Sequence, residues 1–390
     1  MELICKITDK DIFGSDGSSN AKPRYTARAI LKNDKNQYAV MYMNKYDFYL
    51  LPGGGIESNE DIPEALRREV LEETGCTCET IKEIGCVYEN RAYCDYTQYS
   101  YYHFVEAGNN VKAQSFTGIE IQNQTDVQWH SLEKVIDLIF KQKPTTNQQK
   151  YLQARDVAAL KKYISEYATN SEKTALLSEI KWIFFDIGST LVDESECYKA
   201  RYAETVKGTD ISYEEFENKV IEFSKQNQKG DHEAVKYFNL TLAKWHKELE
   251  ILYPEAKEAL KSLFESGYKL GIIANQSLGS EKRLEEWGIL KYFSTVIASA
   301  EEGVAKPDKE IYLRALNRAD CMPENAVMVG DRLDNDIVPA NKIGMKTIWI
   351  KQGLGGYATP QSPYECPDYT INNLSELCGL FNHSKIELEE

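Results

Sequence analysis

The apolar positions of this chain fall into two α/β patterns joined by a polar stretch. Residues 25–31 and 37–43 are apolar or β-branched runs on either side of the turn Lys32-Asn33-Asp34-Lys35-Asn36, which predicts a hairpin. Residues 84–88, 99–105 and 127–130 read as further strands. Between them, residues 61–74 read as a helix: Asp61 can cap it, Pro63 suits its first turn and Gly75 ends it. Ser131 caps a second helix reaching about Phe140, with Leu132, Val135, Ile136 and Ile139 on one face. The pattern then lapses. The run Lys141-Gln142-Lys143-Pro144-Thr145-Thr146 reads as a connector, and Val157, Leu160, Ile164 and Tyr167 recur at helical spacing beyond it.

From Lys181 onward, strands at residues 182–185, 270–274, 295–298, 326–329 and 347–350 alternate with helical patterns, which predicts a parallel sheet covered by helices. Residues 195–255 interrupt that alternation with helical patterns alone and read as a helical cap inserted over the sheet's carboxyl edge. The expected division is a mixed α/β domain at 1–142, a linker with a helix at 143–179, and a second α/β domain at 180–390.

Composition narrows the function classes. Apolar residues make up 42% and charged residues 27% of 390, which excludes wholesale disorder and fibrous repeats. With 61 acidic and 46 basic residues the net charge is −15. Such a chain repels phosphate backbones, so general nucleic-acid or anionic-membrane binding is not expected, whereas a small phosphorylated substrate is, if metal ions screen it locally. The opening Met-Glu-Leu-Ile-Cys-Lys lacks a basic segment followed by an apolar one, and no run approaches a membrane span. Nine scattered cysteines without a CxxC pair, and five dispersed histidines, predict free thiols rather than a zinc site. A cytoplasmic location follows from these features.

Chemistry concentrates in two places. In the first, Gly53-Gly54-Gly55 runs through Glu57 and Glu60 into a helix carrying Arg68, Glu69, Glu72 and Glu73. The three glutamates at i, i+3 and i+4 share one helix face, where like charges repel. Hard cations such as Mg²⁺ take several oxygen ligands, and carboxylates beside backbone carbonyls supply them. This segment resembles the Nudix box at every specified position: Gly54, Glu60, Arg68, Glu69, Val70, Glu72, Glu73, Gly75 and Cys76, with Cys76 a mild departure. The resemblance covers residues 1–142 and implies an α/β/α sandwich with a mixed sheet. It also implies metal-dependent hydrolysis of a diphosphate of the nucleoside type. Glu72 and Glu73 would hold Mg²⁺ (or Mn²⁺) with the carbonyl of Gly54, Glu69 would bind metal or orient the attacking water, and Arg68 would fix a glutamate. Glu120 and Asp126 are candidates for a later acidic ligand. Six tyrosines between Tyr88 and Tyr102 either stack on a nucleobase or fill hairpin faces.

In the second place, Asp186 ends the first strand of the parallel sheet, Asp331 ends the fourth, Asp336 follows it, and Lys306 lies on a loop entering a helix. Carboxyl ends of parallel strands are where such sheets put their sites. Together these residues can hold a cation, attack phosphorus and balance charge, although each alone is commonly a strand-end or cap residue. The pattern resembles the haloacid dehalogenase (HAD) superfamily over residues 180–355: a Rossmann-like domain with a helical cap, in which Asp186 would be the nucleophile, Lys306 the loop lysine, and Asp331 and Asp336 the Mg²⁺ motif. Two positions depart. The family's second Asp is Gly188, and the Ser or Thr ending strand two is Ala274, followed by Asn275. Loss of the general acid predicts weak phosphatase action or a domain that only binds a phosphorylated ligand. The leading expectation is therefore a bifunctional-looking hydrolase whose first domain does the chemistry.

Overall fold

The computed structural model describes residues 1–110, 113–116 and 118–381; residues 382–390 of the expected second domain lie outside them. The chain separates into two compact units, Met1–Glu172 with Pro360–Cys366, and Lys173–Thr359 with the chain from Pro367. Among the described residues no helix is long and apolar enough to cross a membrane.

The first unit is built on an eight-stranded mixed sheet. Arg24–Lys32 runs parallel to Tyr96–Asn110, and Leu3–Thr8 parallel to Cys76–Arg91, while the Cys76–Arg91/Tyr96–Asn110 hairpin is antiparallel. The helix Ile62–Thr74 begins at a capping box, in which Asp61 accepts from the Glu64 amide and Glu64 answers. It stops at Gly75, whose φ of 76° suits glycine. Ala65, Leu66 and Val70 bury against Ala27, Ala29 and Leu31 of the sheet, which leaves the glutamate-bearing side turned to the glycine loop.

The helix expected beyond the connector is present and belongs to the first unit. Thr146 and Gln149 form a capping box, and Asn147–Glu166 is a 20-residue helix of the first unit. Its buried side includes Tyr151, Leu160 and Tyr163, and also Arg155 and Asp156, both fully buried. Asp156 accepts from the Tyr102 hydroxyl at 2.5 Å and the Leu51 amide at 3.0 Å. The apolar periodicity of Val157, Leu160 and Ile164 reveals the helix within the expected linker 143–179, but it cannot reveal a face held by charged groups.

The second unit has a six-stranded parallel sheet. Its order is Phe293–Ala298, Lys269–Ala274, Trp182–Phe185, Ala326–Gly330, Lys346–Ile350 and Tyr369–Ile371. The last strand, three residues with a polar centre, had no visible signal. The insertion is stemmed by a two-stranded pairing of Val192–Asp193 with Ile251–Leu252. Between them lie helices Ser195–Val206, Tyr213–Lys225 and Gly230–Phe238, packed around Tyr202, Phe216 and Val220.

Candidate functional sites

In the first unit, a tight loop lies against the glutamate helix. Gly53 sits at φ 126°, and a Cβ there would come within 2.2 Å of the Ala27 carbonyl, so only glycine fits. Its amide donates to Glu73 Oε2 at 2.7 Å. A Cβ on Gly54 would lie 2.3 Å from Glu69 Oε1, so the Glu69 carboxylate rests directly on the Gly54 backbone. Arg68 forks onto Glu60 at 2.6 and 3.0 Å and reaches the Gly55 carbonyl at 2.9 Å. The same guanidinium donates to Glu69 at 2.9 Å and Glu72 at 3.2 Å. It therefore ties loop and helix together and separates the glutamates electrostatically.

Burial pushes the Glu73 carboxyl up to about 8, with Glu69 adding to the rise, the Gly53 amide and Arg28 opposing it, and Glu120 contributing. Burial also raises Glu69, against the pull of Arg68. Such an oxygen-only set, held back from ionising, suits a hard divalent cation. Yet no three of these carboxylates bring an oxygen each within 4.8 Å of one another. Of the two later acids, Glu120 acts on Glu73, whereas Asp126 is exposed on the strand Thr125–His130. The tyrosines divide by strand alternation. Tyr102 is buried, while Tyr25 stacks on Tyr99 and Tyr101 at centroid distances of 5.8 and 6.4 Å. Tyr25 and Tyr101 line an open hollow of ≈ 550 Å³ with Ile56, Glu57, Glu60 and Pro63.

In the second unit, adjacent parallel strands deliver the acids. Phe185 pairs with Val329, so Asp186 and Asp331 emerge side by side at the sheet's carboxyl edge. The single π-type turn Leu333–Ile337 brings Asp336 back over Gly330, where a Cβ would lie 2.3 Å from its carboxyl carbon. Asp186, Asp331 and Asp336 each place an oxygen within 4.8 Å of the others, the one such acidic group among the described residues. The Lys306 ammonium donates to Asp186 at 2.7 Å and Asp336 at 2.6 Å. Burial alone would depress this ammonium, but the two carboxylates override it and hold it above its ordinary value. Burial raises Asp331 well above the carboxylate range, with Asp336 and Asp186 adding to it. Burial likewise lifts Asp336 to about 6 against the pull of Lys306. Three acids against one ammonium leave the cluster short of positive charge, which is what a divalent cation supplies.

Two further residues belong to this site, neither of which the sequence assigns a role. Asn275 exchanges a reciprocal pair of hydrogen bonds with the Lys306 backbone, at 2.9 and 2.8 Å, and so fixes the lysine's approach. Glu194 lines the same cavity of ≈ 320 Å³ as Asp186, Lys306 and Asp331.

Comparisons with known proteins follow this division. The NUDIX domain profile matches residues 22–153, and that of the Haloacid dehalogenase-like hydrolases matches residues 183–350. Glyceraldehyde 3-phosphate phosphatase of Methanocaldococcus jannaschii is 34% identical over 229 residues, 53% of this chain and 99% of that protein. Its namesake from Pyrococcus furiosus is 31% identical over 224 residues, 52% of this chain and 92% of that protein. Among solved structures, a HAD phosphatase from Thermococcus onnurineus is 28% identical with a TM-score of 0.37, covering 51% of this chain and 96% of that one.

Proposed function

The chain belongs to the haloacid dehalogenase-like hydrolases and carries a NUDIX domain ahead of that region, and on this premise we propose that its second unit removes phosphate from a small phosphate ester. The carrying observation is the converged triad Asp186, Asp331 and Asp336 with Lys306 bridging two of its members. Asp186 Oδ attacks phosphorus and the ester P–O bond breaks, leaving an aspartyl-phosphate. Water then attacks that phosphorus, releasing phosphate and restoring Asp186. Lys306 orients Asp186 through its hydrogen bond and offsets charge on the phosphoryl oxygens. A bound Mg²⁺ or Mn²⁺ would be held by Asp186, Asp331 and Asp336 and would neutralise that charge further. The cavity of ≈ 320 Å³ suits a small metabolite, and the relatives' names make a short sugar phosphate the first candidate.

The test is phosphate release from a panel of sugar phosphates and p-nitrophenyl phosphate, with and without Mg²⁺, for wild type and Asp186→Asn. Mg²⁺-dependent release that disappears in Asp186→Asn supports the reading; release indifferent to that substitution sinks it.

A second activity is favoured by the clasp between loop and helix in the first unit, in which Gly53 donates to Glu73 and Arg68 joins Glu60 to Glu69. There the chain would cleave a diphosphate. Glu72, Glu73, Glu69 and the Gly54 carbonyl would hold the cation, and the Tyr25–Tyr101 hollow would receive the substrate's flat group. Glu72→Gln and Glu73→Gln should each lose diphosphate hydrolysis in a screen of nucleoside diphosphate derivatives. Near-normal turnover by both at saturating Mg²⁺ contradicts the assignment.

A further inference from the structure

Cleavage of an unactivated phosphate ester needs a second acid beside the nucleophile: the leaving oxygen must gain a proton, and the hydrolytic water must lose one. Position 188 offers no side chain for this. The space beside it is nevertheless filled. A Cβ built on Gly188 would lie 2.7 Å from Glu194 Oε1 and 3.1 Å from its carboxyl carbon. The glutamate gets there because the chain doubles back. Ser189 takes φ 51°, Gly188 bridges to Val192, and Glu194 follows directly at the start of the first cap helix. The Ser189 hydroxyl donates to Glu194 Oε2 at 2.8 Å, which orients the carboxyl and turns Oε1 toward Gly188. Glu194 and Asp186 face the same cavity.

Neighbouring acids are otherwise engaged. Asp193 accepts the Ser195 amide at 2.8 Å, and Asp231 holds Arg201 at 3.1 Å and the His232 amide at 2.8 Å.

We infer that Glu194 is the general acid–base of the second unit, reaching from the stem of the cap into the place a carboxylate at 188 would occupy. The inference rests on the phosphatase reading above. In the first step the protonated Glu194 gives its proton to the ester oxygen as the Asp186 Oδ–P bond forms and the P–O bond breaks. An alcohol leaves, and Glu194 remains as carboxylate. In the second, Glu194 takes a proton from water as its oxygen attacks phosphorus and the P–Oδ bond breaks. Inorganic phosphate, ionised Asp186 and protonated Glu194 result, so atoms and charge close the cycle. Supporting this geometry, burial lifts the Glu194 carboxyl to about 7 against the Ser189 hydrogen bond, with Asp186 and Glu250 adding to the rise, so both protonation states are accessible near neutrality.

The experiment compares wild type, Glu194→Gln, Asp186→Asn and the double variant Glu194→Ala/Gly188→Asp on an alkyl phosphate and on p-nitrophenyl phosphate, at saturating Mg²⁺. Glu194→Gln should lose about 10²–10⁴-fold on the alkyl ester, the usual worth of a general acid. On the aryl ester it should release a burst near one nitrophenolate per chain and then slow, because the first step needs no proton and the second lacks its base. A merely structural role would not produce that burst. The double variant should recover much of the alkyl-ester rate. Alkyl-ester turnover within threefold of wild type in Glu194→Gln, with Asp186→Asn dead, overturns the role of Glu194 while leaving the phosphatase reading standing. A wild type inactive on both esters, or indifferent to Asp186→Asn, overturns the reading and the inference with it.

Discussion

The two units each carry an acidic cluster, and they gather their carboxylates by opposite means. In the second, neighbouring parallel strands and one π-type turn converge Asp186, Asp331 and Asp336 to within 4.8 Å, and a buried ammonium holds two of them. In the first, one helix face carries Glu69, Glu72 and Glu73, and no such convergence occurs. Residues at i, i+3 and i+4 on a helix keep their Cβ atoms about 5–6 Å apart. Arg68 then occupies the ground between the buried Glu69 and the partly exposed Glu72. Strand ends thus yield a preassembled site that stores repulsion, whereas a helix face yields a spaced one. The converged site should be the more sensitive to losing any one member.

That contrast can be broken most directly at Asp186, the proposed nucleophile. Asp186→Asn should lower phosphate-ester turnover by at least about a thousandfold, because it removes the oxygen nucleophile that the proposed covalent intermediate needs. Measured turnover within tenfold of wild type would place the chemistry elsewhere. Next in size is Lys306→Met. Lys306 is 5% exposed, and removing one partner of a buried charge group costs about 3–5 kcal/mol. Urea unfolding in chelator should show a loss of about 3 kcal/mol in the second unit, and Mg²⁺ should shrink it, since a cation can replace the missing positive charge. An equal loss with and without Mg²⁺ would show that the triad does not hold the ion. In the first unit, Arg68→Gln should have a milder effect on stability. Two of its three glutamate partners, Glu60 and Glu72, keep contact with water, and partly exposed pairs contribute about 0–1 kcal/mol each, while the buried Glu69 still rests on the Gly54 backbone. A loss above about 3 kcal/mol in the same assay would mean that the helix site is as tightly interlocked as the strand-end site.

The spaced cluster is also the one a sequence displays. All of Arg68, Glu69, Glu72 and Glu73 lie within one helical turn and a half, bounded by Asp61 and Gly75, so periodicity and caps alone locate helix and face. The strand-end site was legible only through the order of Asp186, Lys306, Asp331 and Asp336, because sheet pairing rather than spacing brings them together. Glu194 escaped because its position depends on a left-handed Ser189 and a two-residue strand pairing, neither of which has a strong local signal. Asp193, one residue nearer to Gly188, accepts the Ser195 amide instead. The helix Asn147–Glu166 was legible from its apolar spacing, but its buried polar face was not: a polar residue is read as exposed unless its partner is known. The partners of Arg155 and Asp156 include Tyr102, more than fifty residues away.

The Gly188→Asp substitution shows how geometry revises an expectation drawn from family pattern. By pattern alone it restores a missing acid and raises the rate. With Glu194 Oε1 only 2.7 Å from the new Cβ, it must instead displace one carboxylate to admit another. In the wild-type background Gly188→Asp should therefore leave alkyl-ester turnover level or lower, and a tenfold gain would show that Glu194 is dispensable.

A last contrast concerns Glu73 and gives the helix site a signature of its own. Its carboxyl, lifted by burial to about 8, favours the protonated form in the folded chain, while an unfolded glutamate titrates near 4.3. A group raised in this sense contributes stability that is fully present below about pH 4.3 and is lost as pH rises through about 8. In chelator, the unfolding midpoint of wild type should therefore fall across that window relative to Glu73→Gln. The amide variant matches the protonated acid in shape and can still accept from the Gly53 amide at 2.7 Å. The two proteins should melt together below about pH 4, and by pH 9 Glu73→Gln should be well ahead in unfolding midpoint. Saturating Mg²⁺ should reverse the order at pH 9, because it favours the ionised carboxylate that only the wild type can provide. Parallel pH curves for the two proteins in chelator would show that Glu73 is not held neutral by the fold, and an unchanged order with Mg²⁺ would show that it is not a ligand.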